Sequence, residues 1–235
     1  MEKLVLTPEL RKELLELYKG LRVADVRDGL DWNMMHHYGT MDRGIRPLFR
    51  TLMMGFARTA RYVKYQGPIP YMTPEEYTDW SNWYYGNVCT YPWGDDIVDG
   101  DVIVLDCSGV DAGLIGSCNG LDYVLKGARG FVSNGGIRDT DECILQKVPC
   151  WSAMISQGMD QGRLQYEAKD IQVNVGGVQV NPGDIIVADG DGVVVVPLDM
   201  AFKVAKYARQ ENSADRASRG GLYEAAGMEK DETVD

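Results

Sequence analysis

GARGFVSNGGIRD, residues Gly127 to Asp139, is the stretch on which the fold reading turns. Its centre, Gly130 to Ser133, predicts a buried strand. Gly135-Gly136 predicts a turn after it, and that turn delivers Arg138 and Asp139 side by side. An α/β chain places its chemistry where a rigid strand ends and a variable loop begins. An arginine beside an aspartate supplies a fork for an anionic ligand and a hard oxygen for a divalent cation. The plainer alternative is an ion pair that only steadies the turn.

Outward from this stretch the pattern is regular. Downstream, a short helix is expected over 141–146, then a strand over 148–155 that carries Trp151. Segments 171–175 and 178–180 flank Gly176-Gly177 and predict a β-hairpin. Segments 185–188 and 193–196 flank DGDG, residues 189–192. That tetrapeptide is read as a tight turn, since the ligand spacing of an EF-hand is absent. A long helix over 199–219 closes the pattern, and it is polar beyond Tyr207 in the manner of an arm reaching across a neighbour.

Upstream, Val102 to Asp106 predicts a short apolar strand. After it, glycines at 109, 113, 116 and 120 surround the start of a helix carrying Leu121, Val124 and Leu125. A glycine loop before a helix offers backbone N–H groups to an anion. The spacing is not GxGxxG, and no ribose-binding carboxylate follows, so a ligand carboxylate suits this loop better than a dinucleotide. A strand is expected over 52–63, with Arg58 and Arg61 at its flanks. Near the N-terminus, Thr7-Pro8-Glu9 opens one helix and Leu21 to Trp32 forms a second, together spanning 7–30. The charges of the second helix, Asp25, Arg27, Asp28 and Asp31, are read as a solvated face. His36 and His37 point in different directions, so they form a poor ligand pair.

Residues 66–96 differ in character, with four prolines, five tyrosines and three tryptophans. Aromatic surface of this kind is expected at a subunit contact or in a lid over a ligand, rather than in the core. Pro74 marks the start of a short helix within it.

The chain has 235 residues, 45% of them apolar, enough for one large core. No Pro/Ser/Gly-rich linker divides it, so 1–235 is read as a single domain. No apolar run approaches the roughly 20 residues that cross a bilayer, and no signal-like core is seen. The expected setting is the cytoplasm, away from membranes. A net charge of -11 withholds the usual electrostatic term from direct nucleic-acid binding. Five cysteines without a CxxC pair argue against a disulfide framework or a zinc cage, and Cys118 alone lies near the candidate loop.

Gly100 to Val104, Gly116, GARGFVSNGGIRDTDE and VNVGGVQVNPGDIIVADGDGVVVVP occur in an order that resembles the RraA-like family. The likeness covers residues 20–210, with 66–96 as an insertion. That family includes the class II 4-hydroxy-4-methyl-2-oxoglutarate / 4-carboxy-4-hydroxy-2-oxoadipate aldolases, regulators of ribonuclease activity, and proteins once labelled demethylmenaquinone methyltransferases. The resemblance implies a swivelling β/β/α domain assembled as a homotrimer or homohexamer, with sites between subunits.

It also implies that Asp139 binds a divalent metal, Mg²⁺ or Mn²⁺, and that Arg138 holds a substrate carboxylate. The aldolases of the family carry an acidic residue, about twenty intervening residues, then Arg-Asp. Counted back from Arg138, that acidic position is Ser117. The expected substrate-binding loop is Gly116, Ser117, Cys118 and Asn119, with Ser117 and Asn119 facing a hydroxylated acid. The expected activity is a metal-dependent lyase, aldolase or oxaloacetate decarboxylase, working on a 2-oxo acid through a pyruvate-type enolate. The alternative is a non-enzymatic regulator that binds a protein partner. Glu211, on the closing helix, is a candidate for completing the site of a neighbouring subunit. A methyltransferase is disfavoured, because the glycine-rich cofactor loop with its acidic strand end is missing.

Overall fold

The structure is a computed structural model and describes residues 4–234. Thr7 caps α1 (Pro8–Tyr18), its hydroxyl accepting the Leu10 N–H at 3.3 Å. Helix α2 (Val23–Asp31) begins at Arg22, whose backbone N–H donates to the Asp25 carboxylate at 2.8 Å. Asp25 is therefore not on a solvated face as expected. It is 1% exposed, held by the Arg22 guanidinium and by Asn212 of the last helix. A carboxylate buried at a helix start is tolerated because N–H donors and a cation satisfy it.

The chain continues through β1 (Arg46–Pro47), β2 (Met53–Lys64), α3 (Pro74–Asn87), β3 (Asp101–Asp106), β4 (Gly113–Ile115), α4 (Ser117–Leu125), β5 (Ala128–Ile137), α5 (Thr140–Leu145) and β6 (Cys150–Ile155). It then forms β7 (Leu164–Lys169), the hairpin β8 (Val173–Val175) and β9 (Val178–Val180), β10 (Ile185–Asp189), β11 (Gly192–Val196) and α6 (Ala201–Ala226). Nine strands make one mixed sheet, in the order β1-β6-β5-β3-β2-β10-β11, with β4 on β5 and β7 on β2. Strands β2, β3, β5 and β6 are mutually parallel. Helices α3, α4 and α5 lie in the crossovers that these parallel neighbours require. DGDG closes the β10–β11 hairpin, with Asp189 opposite Gly192.

Strand β5 is longer than expected. Gly135-Gly136 does not turn the chain but lies inside β5, where Gly136 pairs with both Gly113 and Met154. The two glycines serve close packing. A Cβ on Gly135 would lie 2.6 Å from the Cys107 Cβ, and one on Gly136 would lie 2.9 Å from the Ala112 carbonyl oxygen. The turn comes three residues after Gly136, at Asp139.

The sheet is covered on both faces, so β3 reads as an unbroken apolar run from Val102 to Leu105. In β3, Ile103 and Leu105 face one buried cluster while Val102 and Val104 face another. The β8–β9 hairpin caps the second cluster with Val173, Val175, Val178 and Val180. Helices α1, α2 and α6 cover β10 and β11 in a third cluster. Gly29 lets α2 close on α6, since a Cβ there would meet the Val204 carbonyl oxygen at 2.5 Å.

The aromatic insertion departs from expectation in part: Tyr84 and Trp93 are wholly buried and belong to the main core, while Tyr71, Tyr77 and Trp83 are exposed. The polar atoms of the buried two are satisfied internally. The Tyr84 hydroxyl donates to the Leu164 carbonyl at 2.6 Å, and the Trp93 indole N–H donates to the Tyr62 hydroxyl at 2.8 Å. A buried Trp or Tyr needs such a partner. The last helix also runs past its expected end, to Ala226, where Gly227 stops it with φ +67°. The residues after it fold back, Arg216 and Arg219 donating to the carbonyls of Val234 and Thr233. No helix among the described residues is long and apolar enough to cross a membrane.

Candidate active site

Two neighbouring strands build the site. Parallel strands β4 and β5 end side by side, and the Arg138 N–H donates to the Ile115 carbonyl at 3.0 Å. This is the carboxyl edge of a parallel sheet, where open α/β folds bind ligands. Asp139 then adopts a left-handed backbone, φ 52° and ψ 44°, and begins α5. An aspartate accepts that conformation more readily than most residues, yet it costs about 1 kcal/mol. The strained residue is the one the sequence reading placed at the cation.

Glycines clear the space around the pair. A Cβ on Gly113 would lie 2.5 Å from the Arg138 Cγ, and one on Gly116 would lie 2.6 Å from the Asp139 Oδ2. Gly116 has φ −141°, a backbone open to any residue. Its glycine is therefore explained by the room that Asp139 takes.

Arg138 and Asp139 touch each other, Nε to Oδ1 at 3.2 Å. They also line one cavity of about 340 Å³, together with Gly116, Cys118 and Asn119. The pair therefore faces a cavity as well as bonding within the turn. Ser117 lies behind the cavity wall, with its N–H and hydroxyl 3.3 and 3.4 Å from the Asp139 Oδ2. Position 117 does abut Asp139, but with a hydroxyl where the aldolase pattern has a carboxylate.

The α4 start is less open to an anion than expected. The Gly116 N–H donates to the Asn119 Oδ1 at 2.8 Å, and the Asn119 amide donates to the Leu114 carbonyl at 2.9 Å. Asn119 is spent on holding the loop, and Asp139 already occupies the helix N-terminus, where a negative group is favoured. Cys118 is the one exposed thiol among five; the others are buried. Glu211 lies elsewhere within one chain, in a second pocket with Asp28, Asp31 and His36.

The sequence reading missed the remaining wall of the cavity. Tyr85 and Tyr91, from the aromatic insertion, and Asp160, from the loop after β6, all line it. Asp160 is 2% exposed. Its Oδ1 accepts the Tyr85 hydroxyl at 2.7 Å, and its Oδ2 accepts the Tyr91 hydroxyl and the Cys89 thiol. Burial pushes the Tyr91 phenol far up, and the Asp160 charge adds to it; Tyr85 shifts the same way for the same causes. Both phenols therefore stay protonated and donate. The insertion's tyrosine density was the only signal pointing to this wall.

Among the described residues, no group of three or more His, Cys, Asp or Glu is gathered around a metal position. That excludes a closed cage of protein ligands. It fits magnesium or manganese, which one carboxylate holds with waters and substrate oxygens completing the shell. Asp139 suits that part, since its oxygens carry more lone pairs than the long contacts to Ser117 and Arg138 use.

Fold and site together define an α/β protein whose parallel strands end at a small cavity with one guanidinium and two carboxylates. The chain belongs to the RraA-like family, described as aldolase/RraA, which it matches over residues 23–195. Solved structures agree. An uncharacterized protein from Pseudomonas syringae pv. tomato is 26% identical, with 93% of this chain and 94% of that one covered and a TM-score of 0.71. Streptomyces coelicolor RraAS2, described as an unusual member of the RNase ES inhibitor RraA family, is 25% identical, with coverages of 93% and 98% and a TM-score of 0.70. The RNA-processing inhibitor RraA from Thermus thermophilis shares the fold at 20% identity and a TM-score of 0.52, over 73% of this chain and 92% of its own. No curated protein matches the sequence. The mixed α/β architecture expected from the resemblance is the one observed.

Proposed function

We propose that this protein is a divalent-metal-dependent carbon–carbon lyase acting on a 2-oxo acid. The observation that carries the reading is the strained Asp139 beside Arg138, both opening on one cavity at the ends of β4 and β5. Arg138 grips the substrate carboxylate through its guanidinium fork, a charge-assisted contact that also fixes orientation. Asp139 holds the cation, and Ser117 keeps that carboxylate turned toward the cavity. A bound Mg²⁺ or Mn²⁺ supplies Lewis acidity for the negative charge that forms on the 2-oxo group. In the reaction, the bond between C3 and C4 breaks and its electron pair stays on C3 as an enolate. A solvent proton then converts C3 to the methyl group of pyruvate. The C4 hydroxyl gives its proton to solvent as the fragment leaves as an aldehyde or a ketone, or C4 leaves as carbon dioxide when it is a carboxylate. In a homotrimer or homohexamer, Glu211 of a neighbouring copy would reach this site.

Pyruvate is the product fragment common to all such substrates, so it is also the probe. Solvent deuterium should enter the pyruvate methyl group in D₂O with Mg²⁺ present, and EDTA should abolish the exchange. No exchange above the background of free metal would contradict the reading. It would favour the second one, a regulator that binds a protein partner. The likeness to RraAS2 and the serine at position 117 support that second reading.

A further inference from the structure

We infer that the Tyr85–Asp160–Tyr91 wall selects a substrate whose single carboxylate is followed by hydroxyl groups, rather than one carrying a second carboxylate. The inference rests on reading this cavity as the site for an acid. The two Asp160 oxygens accept from one phenol each, so each phenol spends its one proton there. What each tyrosine oxygen then has left for the cavity is lone pairs. Tyr91 also lies 3.5 Å from the Leu114 carbonyl, too long to compete with its contact to Asp160.

A wall of acceptors accepts ligand O–H groups and repels ligand carboxylate oxygens. The charge count points the same way. Among the described residues that line the cavity, Arg138 is the one cation, set against Asp139 and Asp160. Arg138 and a dication at Asp139 are both committed to the first carboxylate and its 2-oxo group, so a second carboxylate farther along the chain would meet acceptors and no free counter-charge. A buried carboxylate left unpaired is heavily penalised. Asp160 itself has no ion pair among the described residues and is held by neutral donors alone. The rest of the lining includes Leu114, Tyr123 and Met159, which suit a carbon chain. The class that fits is a 4-hydroxy-2-oxo acid with a hydroxylated tail, cleaved to pyruvate and a hydroxyaldehyde.

Gluconate and glucarate test this without turnover, since they differ only in a terminal hydroxyl against a terminal carboxylate. In Mg²⁺ buffer, titration calorimetry should show gluconate binding at least about tenfold more tightly. Asp160→Asn carries the sharper signature. Its amide donates to one phenol oxygen, which frees that phenol's proton for the ligand and turns an acceptor into a donor. The gluconate preference should shrink toward unity in this variant. In Tyr85→Phe it should shrink too, through loss of an acceptor.

Equal or tighter glucarate binding by the unmodified protein would overturn the inference. So would failure of both ligands to bind, or a preference unchanged in both variants. The pyruvate exchange assay separates the two proposals. Exchange without discrimination removes the acceptor wall and leaves the lyase. Discrimination without exchange removes the lyase and leaves the acceptor wall.

Discussion

Asp139 is where sequence, strain and chemistry meet. Its left-handed backbone starts α5, and two glycines upstream leave room for it and Arg138. Gly116→Ala isolates that relation, because φ −141° admits alanine without backbone strain. The added methyl would press on the Asp139 Oδ2 and shift it by a fraction of an ångström. Metal-dependent pyruvate exchange should fall at least about tenfold, with the melting temperature within a few degrees of the parent. An unchanged exchange rate would show that the position of Asp139 is not used. Arg138, Asp139 and Gly116 were legible in the sequence because they lie in short local motifs. Asp160 was not, since its partners Tyr85 and Tyr91 are 75 and 69 residues away. No local pattern announces a contact at that range.

The elements follow the same division. Strands β3, β10 and β11 were legible from unbroken apolar runs between turn residues, and the Gly176-Gly177 hairpin from its turn, both glycines having positive φ. Strand β5 was cut short in the reading because Gly135-Gly136 looks like punctuation. The fold uses those glycines for thickness instead, which only the neighbours Cys107 and Ala112 reveal. The buried part of the insertion, Tyr84 and Trp93, escaped the reading for a related reason. Its aromatics are as fit for an interface as for a core, and only tertiary packing decides between them. Trp93→Ala tests the decision. As a core residue it should cost about 3–5 kcal/mol. For a chain of this size that lowers the melting temperature by roughly 6–20 °C. A lid or interface tryptophan would leave the monomer's melting point unchanged.

Across the whole molecule, electrostatics should set the pH dependence of stability. Asp184 is 3% exposed, and burial raises its pKa against the pull of the N–H groups of Asn181 and Leu198. Asp28 is raised as well, by desolvation first and then by Glu211 and Asp31. A raised carboxylate keeps its proton longer in the folded state than in the unfolded one. Its stabilising contribution is complete below the ordinary value of 3.8 and is lost as pH climbs through the raised pKa. The lowered carboxylates act below their ordinary values, 4.5 for Glu9 and 3.8 for Asp96 and Asp231, and leave the range above about pH 5 alone. Self-repulsion of a chain at -11 acts in the same direction as the raised pair. Thermal melts should therefore show a higher midpoint at about pH 5 than at about pH 7.5. Asp28→Asn should flatten part of that slope, and a midpoint that falls toward pH 5 would contradict the assignment.

The central claim is a cation held by Asp139 next to an acid held by Arg138. Paramagnetic titration of Mn²⁺ in the presence of oxalate, an analogue of the pyruvate enolate, reads both at once. The account predicts a saturable site in the parent protein and a loss of Mn²⁺ affinity of at least about tenfold in Asp139→Asn. It predicts that Arg138→Ala keeps Mn²⁺ binding but loses the effect of oxalate. Mn²⁺ and oxalate binding that is the same in all three proteins would contradict it.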